Sequence, residues 1–232
     1  MFFMEVMTDN DSIRIDNLIK FSEYEGYGHT FKFSKSAINK DTNLEKIKKI
    51  NIIAIDASIC FSQKYGTIDS EKIQRDIHKA YVGFSLIFYG REKPNEPKNK
   101  DEKGNKAKKQ KNNKKEKTKE EKLEEDKNSI STGNWGCGAF RGDHELKFFE
   151  QWVSASFAGA KRLDYYTYGN KRMNTIIERL NEIKSIYTNA YDLYETLVNT
   201  TFVEGEILDI LMSDDAKLKH KNKSKDKKCI II

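Results

Sequence analysis

The stretch Ile130-Ser131-Thr132-Gly133-Asn134-Trp135-Gly136-Cys137-Gly138-Ala139-Phe140 decides how this chain is read, because three glycines within six residues interrupt an otherwise lysine-rich sequence. Ile130 to Thr132 has the character of a short strand. Asp143 is placed to cap a helix carrying Leu146, Phe149, Trp152, Val153 and Phe157 on one stripe, with Gly159 suited to its end. Between the two, glycine accepts positive φ and lets a ligand approach main-chain N–H groups, and the start of a helix adds the positive end of its dipole. The guest that suits such a loop is anionic, most simply a phosphate or diphosphate. Trp135 and Phe140 add flat apolar surface that a bare phosphate does not need and a nucleotide uses. A tight strand-to-helix turn with two core aromatics would show the same spacing.

On the N-terminal side, Ser12-Ile13-Arg14-Ile15 alternates like a half-buried strand, as do Phe31 and Phe33. Ile50 to Ile55 is a nearly continuous apolar run, which reads as a strand buried on both faces in a parallel sheet. Asp69 or Ser70 can cap a helix running through Ile73, Ile77, Ala80 and Tyr81 to Phe84. On the C-terminal side, Leu163 to Tyr168 is aromatic and strand-like, and helical patterns occupy about 172-184 and 187-212. Strand, helix, strand, loop, helix, strand, helix is an α/β order.

Residues 91-128 interrupt that order with Lys, Glu, Asn, Asp and Gln and with both prolines, Pro94 and Pro97. The tract has a net charge of about +5 and the segment Lys217 to Lys228 about +6, so the formal +6 of the 232-residue chain leaves the remainder near −5. The basic balance therefore sits in segments with no apolar face to bury. This argues against a rigid basic groove for sequence-specific nucleic acid. With 34% charged residues and a mean hydropathy of −0.78, the organisation expected is 1-90 and 129-212 folded together, 91-128 a low-complexity charged insertion and 213-232 a basic tail. Cys60, Cys137 and Cys229 are odd in number and widely spaced, which argues for a reducing compartment, and His29, His78, His144 and His220 have no ligand-like spacing.

The ordered motifs Ser22-Glu23-Tyr24-Glu25-Gly26-Tyr27, Ala54-Ile55-Asp56-Ala57, Lys79-Ala80-Tyr81-Val82-Gly83-Phe84, Thr132 to Phe140 and Tyr165-Tyr166-Thr167-Tyr168-Gly169 together resemble the catalytic domain of poly(ADP-ribose) glycohydrolase. The resemblance covers residues 3-90 and 128-200. It implies an α/β, macrodomain-like mixed sheet flanked by helices, and hydrolysis of the ribose-ribose bonds of poly(ADP-ribose) without metal or nucleotide cofactor. It further implies that Tyr27 contacts ADP-ribose, that Asn134, Trp135, Gly136, Cys137, Gly138 and Ala139 wrap the diphosphate, that Phe140 packs against the ribose region and that Tyr168, where the family usually has Phe, flanks the adenine. Arg141 departs from the family, which has Gly there. The partners implied are poly(ADP-ribose), ADP-ribose and poly(ADP-ribosyl)ated proteins.

The family's chemistry rests on a glycine triplet followed by Gln-Glu-Glu, and neither string occurs in this sequence. Glycoside hydrolysis needs positioned carboxyl groups. The adjacent acids present, Glu120-Glu121 and Glu124-Glu125, lie in the charged tract, Asp56 reads as a loop cap and Cys137 as a packed thiol. The expectation is an N-terminally incomplete domain with no catalytic residue of its own. The alternatives are an inactive ADP-ribose-binding module and a gene-model fragment. A sheet lacking central strands would leave Ile50 to Ile55 and the stripe of the 143-158 helix partly uncovered.

The terminal Cys229-Ile230-Ile231-Ile232 has the cysteine and two aliphatic residues of a prenylation box behind a basic run, which together make a two-signal membrane anchor. Ile232 is not a usual terminal residue of that box, and a lysine tail ending in isoleucines fits a nuclear or cytoplasmic protein equally.

Overall fold

A computed structural model describes residues 7-26, 28-39, 41-47, 49-60, 67-88 and 128-221. Tyr27, Cys229 and nearly all of the charged tract lie outside the described residues. The N-terminal part is built from antiparallel pairs. β1 (Ile13–Leu18) pairs with β4 (Ile50–Ala54), and β2 (Ser22–Glu25) pairs with β3 (Lys32–Ser36). The short β5 (Thr67–Ile68) then leads into α1 (Ser70–Ser85), whose N-cap is Asp69, accepting from the Glu71 amide.

The second part runs β6 (Ser129–Gly133), α2 (His144–Phe157), β7 (Arg162–Tyr166), α3 (Lys171–Ile186), α4 (Ala190–Asn199), β8 (Phe202–Val203), α5 (Ile207–Leu211) and α6 (Asp214–Lys221). β6 and β7 are parallel, with α2 as the connection between them, which is a βαβ unit. β8 pairs with β5 across the chain, Ile68 opposite Phe202. That pairing is why 187-212 is not the one helix its periodicity suggests. Asn189 caps α4 through the Asp192 amide, and the chain leaves the helix at Thr200 to enter β8 before α5 begins.

Helix α2 is the centre of the molecule. Every residue from Glu145 to Ser156 is buried, where the apolar pattern indicated a single stripe. α1, α3, α4, α5 and β7 all pack on it, and Leu146, Phe149, Trp152 and Val153 join Ile73, Ile176, Leu197 and Phe202 in one core. Its polar face is buried too, and most of its polar groups find partners; the Ser154 hydroxyl, for example, donates to the Ile77 carbonyl at 2.9 Å, while Glu150 Oε1 is left without one.

The expectation for Ile50 to Ile55 needs correcting. β4 is antiparallel to β1, not part of a parallel sheet, and Ile50 and Ile52 are 43% and 44% exposed. Alternation explains which side is covered: Ile53 and Ile55 face α1, where Gly83 lets them come so near that an added Cβ would stand 2.7 Å from Ile55 Cγ2. The uncovered face holds for this strand, whereas the stripe of the 143-158 helix is covered from Leu146 to Val153, with Phe157 partly exposed. The stretch read as a basic tail also begins as packed structure. In α6, Ala216 and His220 are buried, and His220 Nε2 lies 3.0 Å from the Thr196 hydroxyl.

Candidate functional site

The glycine loop crosses from the end of β6 to the cap of α2, and two of the other sequence motifs converge on it. The Trp135 indole N–H donates to the Ile55 carbonyl at 3.1 Å, and the Cys60 amide donates to the Phe140 carbonyl at 2.8 Å, so the segment after β4 runs along one side. On the other side, Asn134 Nδ2 donates to the Thr167 carbonyl at 3.0 Å and the Tyr165 hydroxyl lies 3.3 Å from Asn134 Oδ1. Asn134 thus ties the loop to the turn that carries Tyr168.

The loop is folded on itself by the Cys137 amide on the Asn134 carbonyl (3.2 Å), the Arg141 amide on Gly138 (3.0 Å) and the Gly142 amide on Gly136 (2.9 Å). Gly136 has φ 76, and a Cβ there would stand 2.7 Å from that of Ala57. The loop therefore needs glycine at this point both for its turn and for its contact. The amides of Gly136, Gly138, Ala139 and Phe140 donate to nothing among the described residues, and Gly138 and Ala139 are exposed. A Cβ on Gly138 would meet nothing within 4 Å.

The helix end beside the loop is already occupied. Asp143 accepts from the Glu145 and Leu146 amides at 2.8 and 3.0 Å and from the Gly205 amide at 3.1 Å. An anion must therefore be held by the loop amides, without the free helix terminus that the sequence suggested.

Beneath the loop lies a buried ion cluster that the sequence reading did not single out. Lys147, read only as part of a helix, sends its stem under Gly136 and Gly142 and places its ammonium 5.2 Å from the centre of the Trp135 ring. That ammonium pairs with Asp76 and, at 2.8 Å, with Glu150. Asp76 also accepts from the Ser58 amide and hydroxyl and from Arg75 at 2.9 Å. Burial works against charge on Lys147, yet the Glu150 and Asp76 carboxylates outweigh it and hold the ammonium above its ordinary value. Burial pushes the Glu150 carboxyl up to about 8 against the pull of Lys147. Glu150 is fully enclosed, so it cannot hand a proton to a ligand on the loop. The signal available in sequence was the apolar environment on both sides of Lys147 and Glu150, which an i,i+3 pair on a surface helix would not have.

The remaining candidates fall out as follows. Burial pushes the Cys137 thiol up to about 12, and its sulfur lies 3.6 Å from the Trp135 carbonyl. Burial would raise Asp56, but hydrogen bonds from Lys79 and Arg75 outweigh it and lower its value; the carboxylate serves as an anchor for both cations. Tyr168 is 98% exposed and has φ 51, a left-handed conformation that a bulky residue rarely adopts. Arg141 has φ 57, in the left-handed region that glycine adopts without strain. Among the described residues there is no group of three or more His, Cys, Asp or Glu able to hold a metal.

The sequence model of a family described as "Poly (ADP-ribose) glycohydrolase (PARG), Macro domain fold" matches residues 1-175. Two Arabidopsis thaliana proteins, named Probable poly(ADP-ribose) glycohydrolase 2 and Poly(ADP-ribose) glycohydrolase 1, are each 29% identical over segments covering 85% of this chain. Poly(ADP-ribose) glycohydrolase 1 of Caenorhabditis elegans is 28% identical over 78% of it. The chain spans 38%, 42% and 21% of the length of these three relatives, respectively.

Proposed function

Because this chain belongs to the poly(ADP-ribose) glycohydrolase family, with its macrodomain fold, we propose that it binds an ADP-ribose unit on the glycine loop as part of a poly(ADP-ribose)-hydrolysing protein. The observation that carries the reading is the set of unspent amides at Gly136, Gly138, Ala139 and Phe140, on a loop whose shape Asn134 and Lys147 fix from two sides. A diphosphate offers acceptors on several oxygens at once, which such a concave row of donors satisfies. Tyr168, exposed on the turn that Asn134 tethers, supplies the aromatic face for the adenine and Phe140 backs the ribose; Tyr27, which lies outside the described residues, is the further contact that the family resemblance implies. The strained φ at Tyr168 fits a side chain held for a ligand rather than for packing.

A binding-only role has one observation in its favour. The carboxylates around the loop among the described residues, Asp56, Asp76, Asp143 and Glu150, are committed to ion pairs or to the helix cap. Hydrolysis would need acids from elsewhere in a complete protein. Calorimetry with ADP-ribose tests the common part: Tyr27→Ala and Tyr168→Ala are each expected to weaken binding by about 1-3 kcal/mol. Unchanged affinity in both would remove the adenine site. Release of ADP-ribose from the polymer by the purified 232-residue chain, abolished by mutating one acid, would decide for catalysis over binding alone.

A further inference from the structure

The ion cluster beneath the glycine loop holds one acid more than its cations balance. Arg75, Lys79 and Lys147 match Asp9, Asp56 and Asp76 one for one, and Glu150 is left over. Asp76 is satisfied on both oxygens, by Lys147, by Arg75 and by the Ser58 amide and hydroxyl. Glu150 is not. It is 0% exposed, its Oε2 accepts from Lys147 at 2.8 Å, and its Oε1 has no hydrogen-bond partner among the described residues. A carboxyl half-satisfied where no water reaches it favours its neutral form, with the proton on the orphaned oxygen. Of the charged groups facing it, Lys147 favours ionisation, while Asp76 from α1 and Asp143 at the cap of α2 oppose it. Tyr165 from β7, Cys137 from the loop and Cys60 from the segment after β4 also face it, and burial holds all three above their ordinary values, so they stay neutral.

The cation that Glu150 shares with Asp76 is also the floor of the loop. A Cβ added at Gly142 would stand 2.9 Å from Lys147 Cε, and one at Gly136 would stand 3.5 Å from it. Asp143 fills the helix end, so the positive charge under the loop comes from Lys147. With Glu150 neutral, Asp76 alone balances that ammonium. With Glu150 ionised, the floor carries a net negative charge, poorly screened because the cluster is buried. We propose that Glu150 is a proton-operated positioning residue for the diphosphate, acting through Lys147: protonated, it leaves the loop receptive to the anion, and ionised, it opposes it. The inference rests on the reading of the glycine loop as an ADP-ribose site. Burial holds the Glu150 proton up to about 8, so the change is expected around that pH.

The test is calorimetry of ADP-ribose binding to the full 232-residue chain, at about pH 7 and about pH 9, a range over which the diphosphate keeps its own charge. Wild type is expected to bind about fivefold more weakly at the higher pH. By linkage, the bound anion tightens the hold of Glu150 on its proton, so binding near pH 8 takes up part of a proton from the buffer. That uptake is read as a binding heat that changes with the ionisation enthalpy of the buffer. Glu150→Gln, which cannot ionise, is expected to lose both the fall in affinity and the proton uptake, while any contribution of His144 or another group stays the same in the two proteins. A fall of equal size in wild type and Glu150→Gln overturns the proposal and leaves the loop reading standing. The wild-type buffer series needs no variant, and absence of proton uptake there overturns the proposal by itself. No binding at either pH overturns both.

Discussion

The helical core and the N-terminal strand ribbons treat similar residues in opposite ways. Ile73 and Ile77 of α1 are 1% and 3% exposed, while Ile50 and Ile52 of β4 are near 44%. Lys79 and Lys147, by contrast, lie wholly inside the helical region. Burial here follows the partners a side chain is given, not its type alone. Each buried ammonium has at least two oxygens within reach, Lys147 those of Asp76 and Glu150, and Lys79 those of Asp56 and the Asp11 carbonyl. Ile50 and Ile52 have α1 on the wrong side of their strand. A two-stranded ribbon covers one face at most.

The sharpest way to break this contrast is Lys147→Met, which leaves the buried acids Asp76 and Glu150 without their cation. It is expected to cost about 3-5 kcal/mol in chemical denaturation. A loss under 1 kcal/mol would mean that the cluster is not what holds α1 to α2. Next comes the pH response. Glu150 holds a proton in the folded state up to about 8, against a normal value of 4.5, so between those limits the folded chain binds a proton that the unfolded chain has released. Stability is therefore expected to fall as pH rises through this window, and Glu150→Gln, which cannot ionise, to flatten the fall. Parallel melting curves for the two proteins from pH 5 to pH 8 would contradict the buried assignment.

Smaller effects probe the loop and the ribbon. Arg141→Gly relieves a left-handed backbone and is expected to raise stability by roughly 1 kcal/mol in thermal melts; no gain would place the strain elsewhere. Ile52→Thr, on the uncovered face of β4, is expected to stay within about 0.5 kcal/mol of wild type. A larger loss would show that this face is covered in solution.

Much of the architecture was legible from pattern. Asp69 and Asp143 announce their helices because a short carboxylate before an apolar period has few other roles, and the Ile130 strand and glycine loop fall where their residues indicate. The direction of β4 was not legible, since a run of isoleucines satisfies a two-faced strand and a one-faced ribbon alike. The break at Thr200 was hidden because Phe202 serves a helical stripe as well as the β5 pairing it actually makes. At the site, the loop could be read because glycine spacing carries its own geometry. Lys147 could not, because its role depends on Asp76, which lies 71 residues away in the chain. Asp143 was legible as a cap, but not as the group that fills the helix end an anion would otherwise use.

Arg75 carries a further consequence. Its guanidinium binds Asp9 at 2.8 Å, Asp76 at 2.9 Å and Asp56, joining the segment before β1, helix α1 and the end of β4 at one point. Such a knot closes chain loops without a covalent bond, so the ribbon cannot open locally while α1 keeps all its partners. In hydrogen-exchange terms β1, β4 and the first half of α1 are expected to form one cooperative opening unit, in which the exposed strands inherit protection from the helix that covers their other face.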